Sequence, residues 1–225
     1  MSRIQMGAVV IFLALGMAVG GWAQGMRGGM GRQTPSLLGD FKPLVGSGAQ
    51  YQMTAQNRTM KFSYVVVGKE DVEGSTGYWM EIRSQNPDMP GEMVMKQLMV
   101  LGGEKPQIKR MIMQAPGRPP FEMPMGMMMG MGPQGQAGRA GDTSPGEIVG
   151  SETITVPAGT FECEHYRKQE PHGTVDVWIS PKVSPYGTVK ISSGEMTIAL
   201  EKVLSNENSH IQGEPQKMGM PMPRQ

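Results

Sequence analysis

Cysteine is almost missing from this chain of 225 residues, with Cys163 the only one. No intramolecular disulfide can form, so the fold must rest on its own core. A lone thiol in an oxidising compartment survives best when buried, the alternative being an intermolecular pair. Charge is sparse and balanced. The 21 basic and 20 acidic residues leave a formal charge of +1, and no run of one sign occurs. That excludes nucleic-acid binding through a basic face, and an acidic tail. Aromatic residues make up 6% of the chain. No segment beyond the N-terminal leader keeps a 3.6-residue apolar period, so helices are not the expected building blocks. Zinc motifs of the Cys-x-x-Cys or His-x-x-x-His kind are missing too. So is a phosphate-binding glycine loop, because the glycines come without a Lys-Ser/Thr pair or a following helix.

What is abundant is glycine (32), methionine (24) and proline (18), so part of the chain is low in complexity. Residues 1–23 read as a secretory signal peptide. Arg3 supplies the positive start, residues 7–19 the apolar run, and Gly21-Trp22-Ala23 places small residues at −3 and −1, for cleavage after Ala23. The apolar run is short for a membrane span, and an uncleaved anchor is the alternative. No cysteine lies near the cleavage site for lipid attachment. The expected location is periplasmic or secreted, with no stable membrane span after cleavage. Loss of Arg3 leaves the mature chain formally neutral.

Residues 24–48 carry no periodic apolar pattern and read as a flexible lead; a weak helical pattern covers 36–45. Period-two alternation follows. Tyr51, Met53 and Ala55 lie two apart, and Met60, Phe62, Tyr64 and Val66 repeat the spacing. Residues 68–77 suit a hairpin connection, and Tyr78, Met80 and Ile82 alternate with Glu81 and Arg83. Further strands are expected at 93–101, 107–114, 152–156, 161–168, 173–179, 188–192 and 196–204. Turn chemistry lies between them, as in Pro157-Ala158-Gly159 and 181–187. Residues 115–147 break the pattern as a Pro/Gly/Met-rich insertion, and 206–225 read as a disordered tail. The expected fold is all-β: one domain over 49–205, a strongly curved antiparallel sheet or partial barrel with one buried face and one wet face.

The segment Thr155-Val156-Pro157-Ala158-Gly159-Thr160-Phe161-Glu162-Cys163-Glu164-His165-Tyr166 is followed by Asp176-Val177-Trp178-Ile179-Ser180 and Pro185-Tyr186-Gly187-Thr188-Val189-Lys190. Together with Gly77-Tyr78-Trp79-Met80-Glu81 and Lys109-Arg110-Met111-Ile112-Met113-Gln114, these resemble a family of uncharacterised exported bacterial proteins. The likeness spans about residues 50–205 without the insertion. The family's architecture resembles the curved antiparallel sheet of periplasmic lipoprotein carriers, which hold an acyl group in the concave face. The resemblance implies a carrier-like or binding role and carries no activity.

The candidate ligand-wall residues are Trp79, Trp178 and Tyr186, for an apolar small molecule or lipid. The expected protein is not an enzyme and needs no cofactor. The alternative is Cu(I) or Ag(I) binding through Met123, Met125, Met127, Met129 and Met131. These lie two apart and offer soft, proton-free thioethers, with Met218, Met220 and Met222 repeating the pattern. The same methionines also fit plain linker or oxidant-absorbing sequence. Met93, Met95 and Met111, inside strands, read as core. Phe161, Cys163 and His165 share one strand face. Cys163 and His165 could supply a thiolate and an imidazole, but a buried thiol beside a satisfied histidine fits as well. Trp178 anchors the core or lines a groove. Glu81, Asp176 and Glu195 show no pairing in sequence, and His172 and His210 form no cluster. Sequence alone leaves the oligomeric state open.

Overall fold

The computed structural model describes residues 41–56, 58–85, 91–101, 107–124, 146–170, 173–194 and 196–217. They form strands and connections, with no helix among the described residues. The strands are β1 (Gly48–Ala55), β2 (Arg58–Val72), β3 (Ser75–Gln85), β4 (Glu92–Val100), β5 (Gln107–Gln114), β6 (Phe121–Glu122), β7 (Glu147–Val156), β8 (Gly159–Glu170), β9 (Gly173–Ile179), β10 (Thr188–Ser193), β11 (Met196–Leu204) and β12 (Gln216–Lys217). All belong to one curved sheet, in the order β12-β6-β5-β4-β3-β2-β1-β11-β10-β9-β8-β7. The all-β class expected from the alternation is therefore what the chain adopts, and the sheet does not close.

Two meanders make the sheet, one running from β1 to β6 and the other from β7 to β11. Strand β1 joins them, pairing antiparallel with both β2 and β11. The β12–β6 pair is parallel. Hairpin pairing extends further than the alternation implied. Strand β2 runs on to Val72 and turns at Glu73-Gly74, so most of residues 68–77 pair in the ladder.

The main core gathers on one side of the sheet. Tyr51, Phe62, Tyr64, Met80, Ile82, Ile191, Ile198 and Leu200 are buried together. Tyr51 stacks on Phe62 at 5.5 Å between ring centroids, and Tyr64 meets Tyr186 edge-on at 5.8 Å. Fully burying a side chain of this size contributes about 1.5–3 kcal/mol. The phenols keep partners: Tyr51 donates to the Thr188 carbonyl at 2.9 Å and Tyr186 to the Met80 sulfur at 3.2 Å. Burial pushes the Tyr51, Tyr64 and Tyr186 hydroxyls above their ordinary range, so they stay neutral.

The opposite face is not uniformly wet. Trp79, Glu81 and Arg83 alternate with Met80 and Ile82 and are themselves buried. The cover is the segment after β11. Glu81 accepts from Arg83 Nε at 2.7 Å, from the Ser209 hydroxyl at 2.6 Å and from the His210 backbone N–H at 2.9 Å. Arg83 donates to Glu207 at 2.7 Å and to the Asn208 carbonyl at 2.5 Å. A buried ion pair holds only if its remaining hydrogen-bonding groups are met, and this segment meets them. Over residues 206–217 the expected disordered tail is thus a strap, ending in β12.

Two further expectations are corrected. In the part of the lead that is described, 41–47 pack on the domain without a helix: Lys42 N–H donates to the Pro185 carbonyl and Phe41 lies 5.3 Å from Tyr186. The insertion is narrower than 115–147, since 115–124 include β6 and β7 begins at Glu147. Residues 1–40, with the signal peptide, lie outside the described residues, as do 125–145 and 218–225.

Candidate functional site

The connection between β9 and β10 builds one wall of a cleft. Its backbone closes on itself: Ser180 N–H donates to the Gly187 carbonyl at 2.8 Å, and Gly187 N–H to the Val183 carbonyl at 2.7 Å. Gly187 has φ +75°, and a Cβ there would lie 2.8 Å from the Ile179 Cγ2, so glycine permits the tight return. Val183 and Tyr186 point from this loop into the core, 3% and 1% exposed. Residues 42–44 lie along the loop and complete that wall.

The facing wall comes from the β7–β8 hairpin, with Glu152, Glu162, Glu164 and Tyr166, and the remaining side from Tyr78 and Leu101. The cleft is open to solvent on one side and has a volume of about 1120 Å³. Its character is mixed. Ile179, Pro181, Pro185 and the tyrosines supply apolar surface, while Lys42, Lys182 and the three glutamates supply charge. Two large apolar side chains at this cleft, Leu44 and Leu101, are 63% and 41% exposed. The Ser180 hydroxyl, buried in the loop wall, has no hydrogen-bond partner, a condition few buried polar atoms tolerate.

Cys163 also borders the cleft, and it is buried. Burial first, and the nearby Glu152 charge second, push its thiol up to about 11. The thiol donates to the Phe161 carbonyl at 3.6 Å. A protonated thiol so held is no nucleophile near neutral pH.

His165 is committed elsewhere. Its Nδ1 lies 2.9 Å from Glu152 Oε1 and its Nε2 2.7 Å from Asp176 Oδ1. The Trp178 ring stacks on the imidazole and donates its N–H to Glu152 at 2.5 Å. Arg167 donates to the same Asp176 oxygen at 2.7 Å. Burial tends to raise the Asp176 pKa, but hydrogen bonds from Arg167 and His165 outweigh it and hold the carboxyl below its usual range. Glu81 and Asp176, unpaired in sequence, are thus both paired in space. His210 meets Glu92 at 2.7 Å, and Glu195 and His172 lie outside the described residues.

The three expected wall residues do not meet. Tyr186 borders the cleft from the core side. Trp178 faces away from its buried neighbour Val177, with Lys190 Nζ 4.9 Å from its ring. Trp79 lies on the face opposite Met80, donates to Glu70 at 2.9 Å, and packs with Leu98 and Ile112 beneath Lys96 and Arg110. Pattern reading missed Tyr78, Tyr166, Leu44 and Leu101 as neighbours. Tyr186 and the turn composition of 181–187 pointed toward this wall, but turns give no account of what they face.

Of the five candidate metal ligands, Met123 is described: it is half-buried, and its N–H donates to the Met111 carbonyl at 2.9 Å. Met125, Met127, Met129 and Met131 lie outside the described residues, as do Met218, Met220 and Met222. Among the described residues no group of three or more His, Cys, Asp or Glu side chains is placed to hold a metal ion. No helix there is long and apolar enough to cross a membrane.

No family model matches the chain, and no curated protein matches it. Two solved structures are similar in part. A candidate lipoprotein from Parabacteroides distasonis is 14% identical, with a TM-score of 0.35, over 72% of this chain and 97% of its own. A candidate exported protein with a YmcC-like fold from Bacteroides fragilis is 12% identical, with a TM-score of 0.33, over 73% and 99%. At these values nothing either protein does is carried over to this chain.

Proposed function

We propose that this chain is an exported, non-catalytic binding protein whose cleft takes an apolar, acyl-like ligand. The observation that carries the reading is the cleft of about 1120 Å³ with Leu44 and Leu101 left exposed at it. Pockets for small organic ligands are commonly about 300–1,000 Å³ and mostly apolar, with a few placed polar groups. Here the apolar part is offered by Ile179, the prolines and the tyrosines, and the polar groups by Lys42, Lys182 and the glutamates. A non-catalytic role is supported by the chemistry of the neighbours. Cys163 is held as a thiol, and both His165 nitrogens face carboxylates. Export rests on the signal-peptide pattern of residues 1–23.

The test is a fluorescence titration with cis-parinaric acid, a long-chain acid that brightens on leaving water. The wild-type chain is expected to bind one saturable equivalent. Leu44→Glu with Leu101→Glu should weaken binding at least about tenfold, equivalent to about 1.4 kcal/mol. Val203→Glu, at an exposed apolar residue that does not border the cleft, should leave binding unchanged. Equal weakening by the double variant and by Val203→Glu, or no saturable binding, would refute the proposal.

A further inference from the structure

The register of β4, β5 and β6 sets a second feature that the cleft does not use. Met95 pairs with Met113, and Met113 with Phe121. One step along, Gln97 pairs with Met111, and the Met123 N–H bond to the Met111 carbonyl extends the β5–β6 ladder to set Met123 opposite Met111. Residues directly opposite share a face about 5 Å apart, and alternate residues of one strand share it about 7 Å apart. Four methionines, from three strands, therefore form one compact group. Strand methionines were expected to be core, and Met95 does pack against it; Met95, Met111, Met113 and Met123 are all half-buried and none is fully enclosed. Among them stands Gln97, 2% exposed, whose side-chain carbonyl oxygen has no hydrogen-bond partner.

We propose that Met95, Met111, Met113 and Met123 form a binding site for a soft monovalent cation, Cu(I), with three thioethers as ligands. Thioethers are soft, neutral donors that favour Cu(I) over hard cations. Three rotatable bonds per side chain let sulfurs from neighbouring strands converge on one ion. Gln97, across from Met111, keeps a side-chain oxygen without a partner, a polar group that a cation left charged by neutral ligands would satisfy. This site is built on ordered strands and does not depend on what the cleft holds.

The test uses the full chain labelled at the methionine methyl carbons and titrated with Ag(I), a redox-inert stand-in for Cu(I). One equivalent is expected to shift the methyl signals of Met95, Met111, Met113 and Met123. Competition with a chromophoric Cu(I) chelator supplies affinities. The triple variant Met111→Leu, Met113→Leu, Met123→Leu conserves side-chain volume and should keep the fold. It should lose at least about 100-fold in Cu(I) affinity, since even outer-shell changes at metal sites cost about 10- to 100-fold. Replacing Met125, Met127, Met129 and Met131 by Leu should leave that affinity in place. Because thioethers carry no proton, binding should also persist from about pH 7 to pH 5. Methyl shifts confined to Met125–131 and Met218–222, or no shift at all, would overturn the proposal. The labelled wild-type spectrum decides this even if the triple variant fails to fold.

Discussion

Trp178 lies flat on His165, their ring centroids 4.6 Å apart and their planes 14° from parallel. The two rings also share an acceptor, because one Glu152 oxygen takes the indole N–H and faces the imidazole Nδ1. Asp176 closes the other side of the imidazole. The His165 and Trp178 motifs of the resembled sequence therefore meet in a packed polar cluster of β7, β8 and β9. Its tryptophan stiffens the β7–β8–β9 wall instead of lining the cleft.

Asp176 gives this cluster a pH signature. Its folded carboxyl lies below the ordinary value of 3.8, so its contribution is fully present above that value and is lost as pH falls through the lower, folded one. Asp176→Asn should destabilise the protein by about 1–2 kcal/mol near pH 7, as expected for a hydrogen bond to a charged group. In denaturant titrations the gap to wild type should shrink once the pH falls below 3.8. A gap that stays constant into strong acid would contradict the assignment.

The strap gives a second prediction. Glu81→Ala leaves the buried Arg83 with Glu207 as its remaining carboxylate and takes the acceptor from Ser209 and His210, a change that costs up to about 3–5 kcal/mol. Hydrogen exchange at 206–211 should rise with it. Replacing Glu81 and Arg83 together by methionine should cost less than Glu81→Ala alone, because the buried charge is gone and the Glu207 carboxylate left behind is 25% exposed. Unchanged exchange at Ser209 and His210 in Glu81→Ala would show that the strap is held by something else.

Cys163 should be nearly inert. Raising a thiol from 9.0 to about 11 lowers the thiolate fraction at about pH 8 by about 100-fold. Reaction with a disulfide reagent should be slower than in the unfolded chain by at least that factor. Equal rates before and after unfolding would contradict a buried, protonated thiol.

The strands were legible because Met60, Phe62 and Tyr64, or Tyr78, Met80 and Ile82, repeat at the period of a pleated chain and end in turn residues. The joining of the two meanders through β1 and β11 was not, since that pairing links residues about 150 positions apart and leaves no local pattern. Glu81 and Arg83 looked like the wet side of an alternating strand. They are buried because each is the other's partner and the strap covers both. The strap itself, Asn206-Glu207-Asn208-Ser209-His210, has no apolar period, being held through polar contacts. Tyr186, expected as a wall residue, borders the cleft from the core side. Trp79 and Trp178 drew attention as large aromatics, but their N–H groups bind glutamates on other faces of the sheet. The methionines of β4 and β5 divide in a way that period alone does not tell: Met99 lies in the main core and Met95 packs on it, while Met111 and Met113 lie toward the sheet's edge region, where β6 and β12 are only two residues long.

The central claim, that the cleft is where an apolar ligand binds, is tested most directly by methyl spectra of the chain labelled at Ile, Leu and Val during titration with dodecanoate. Saturable shifts are expected at Leu44, Leu101, Ile179 and Val183, with Val203, Ile148 and Val149 unmoved. Shifts centred on the exposed Ile148 and Val149, or spread evenly over the surface, would contradict it.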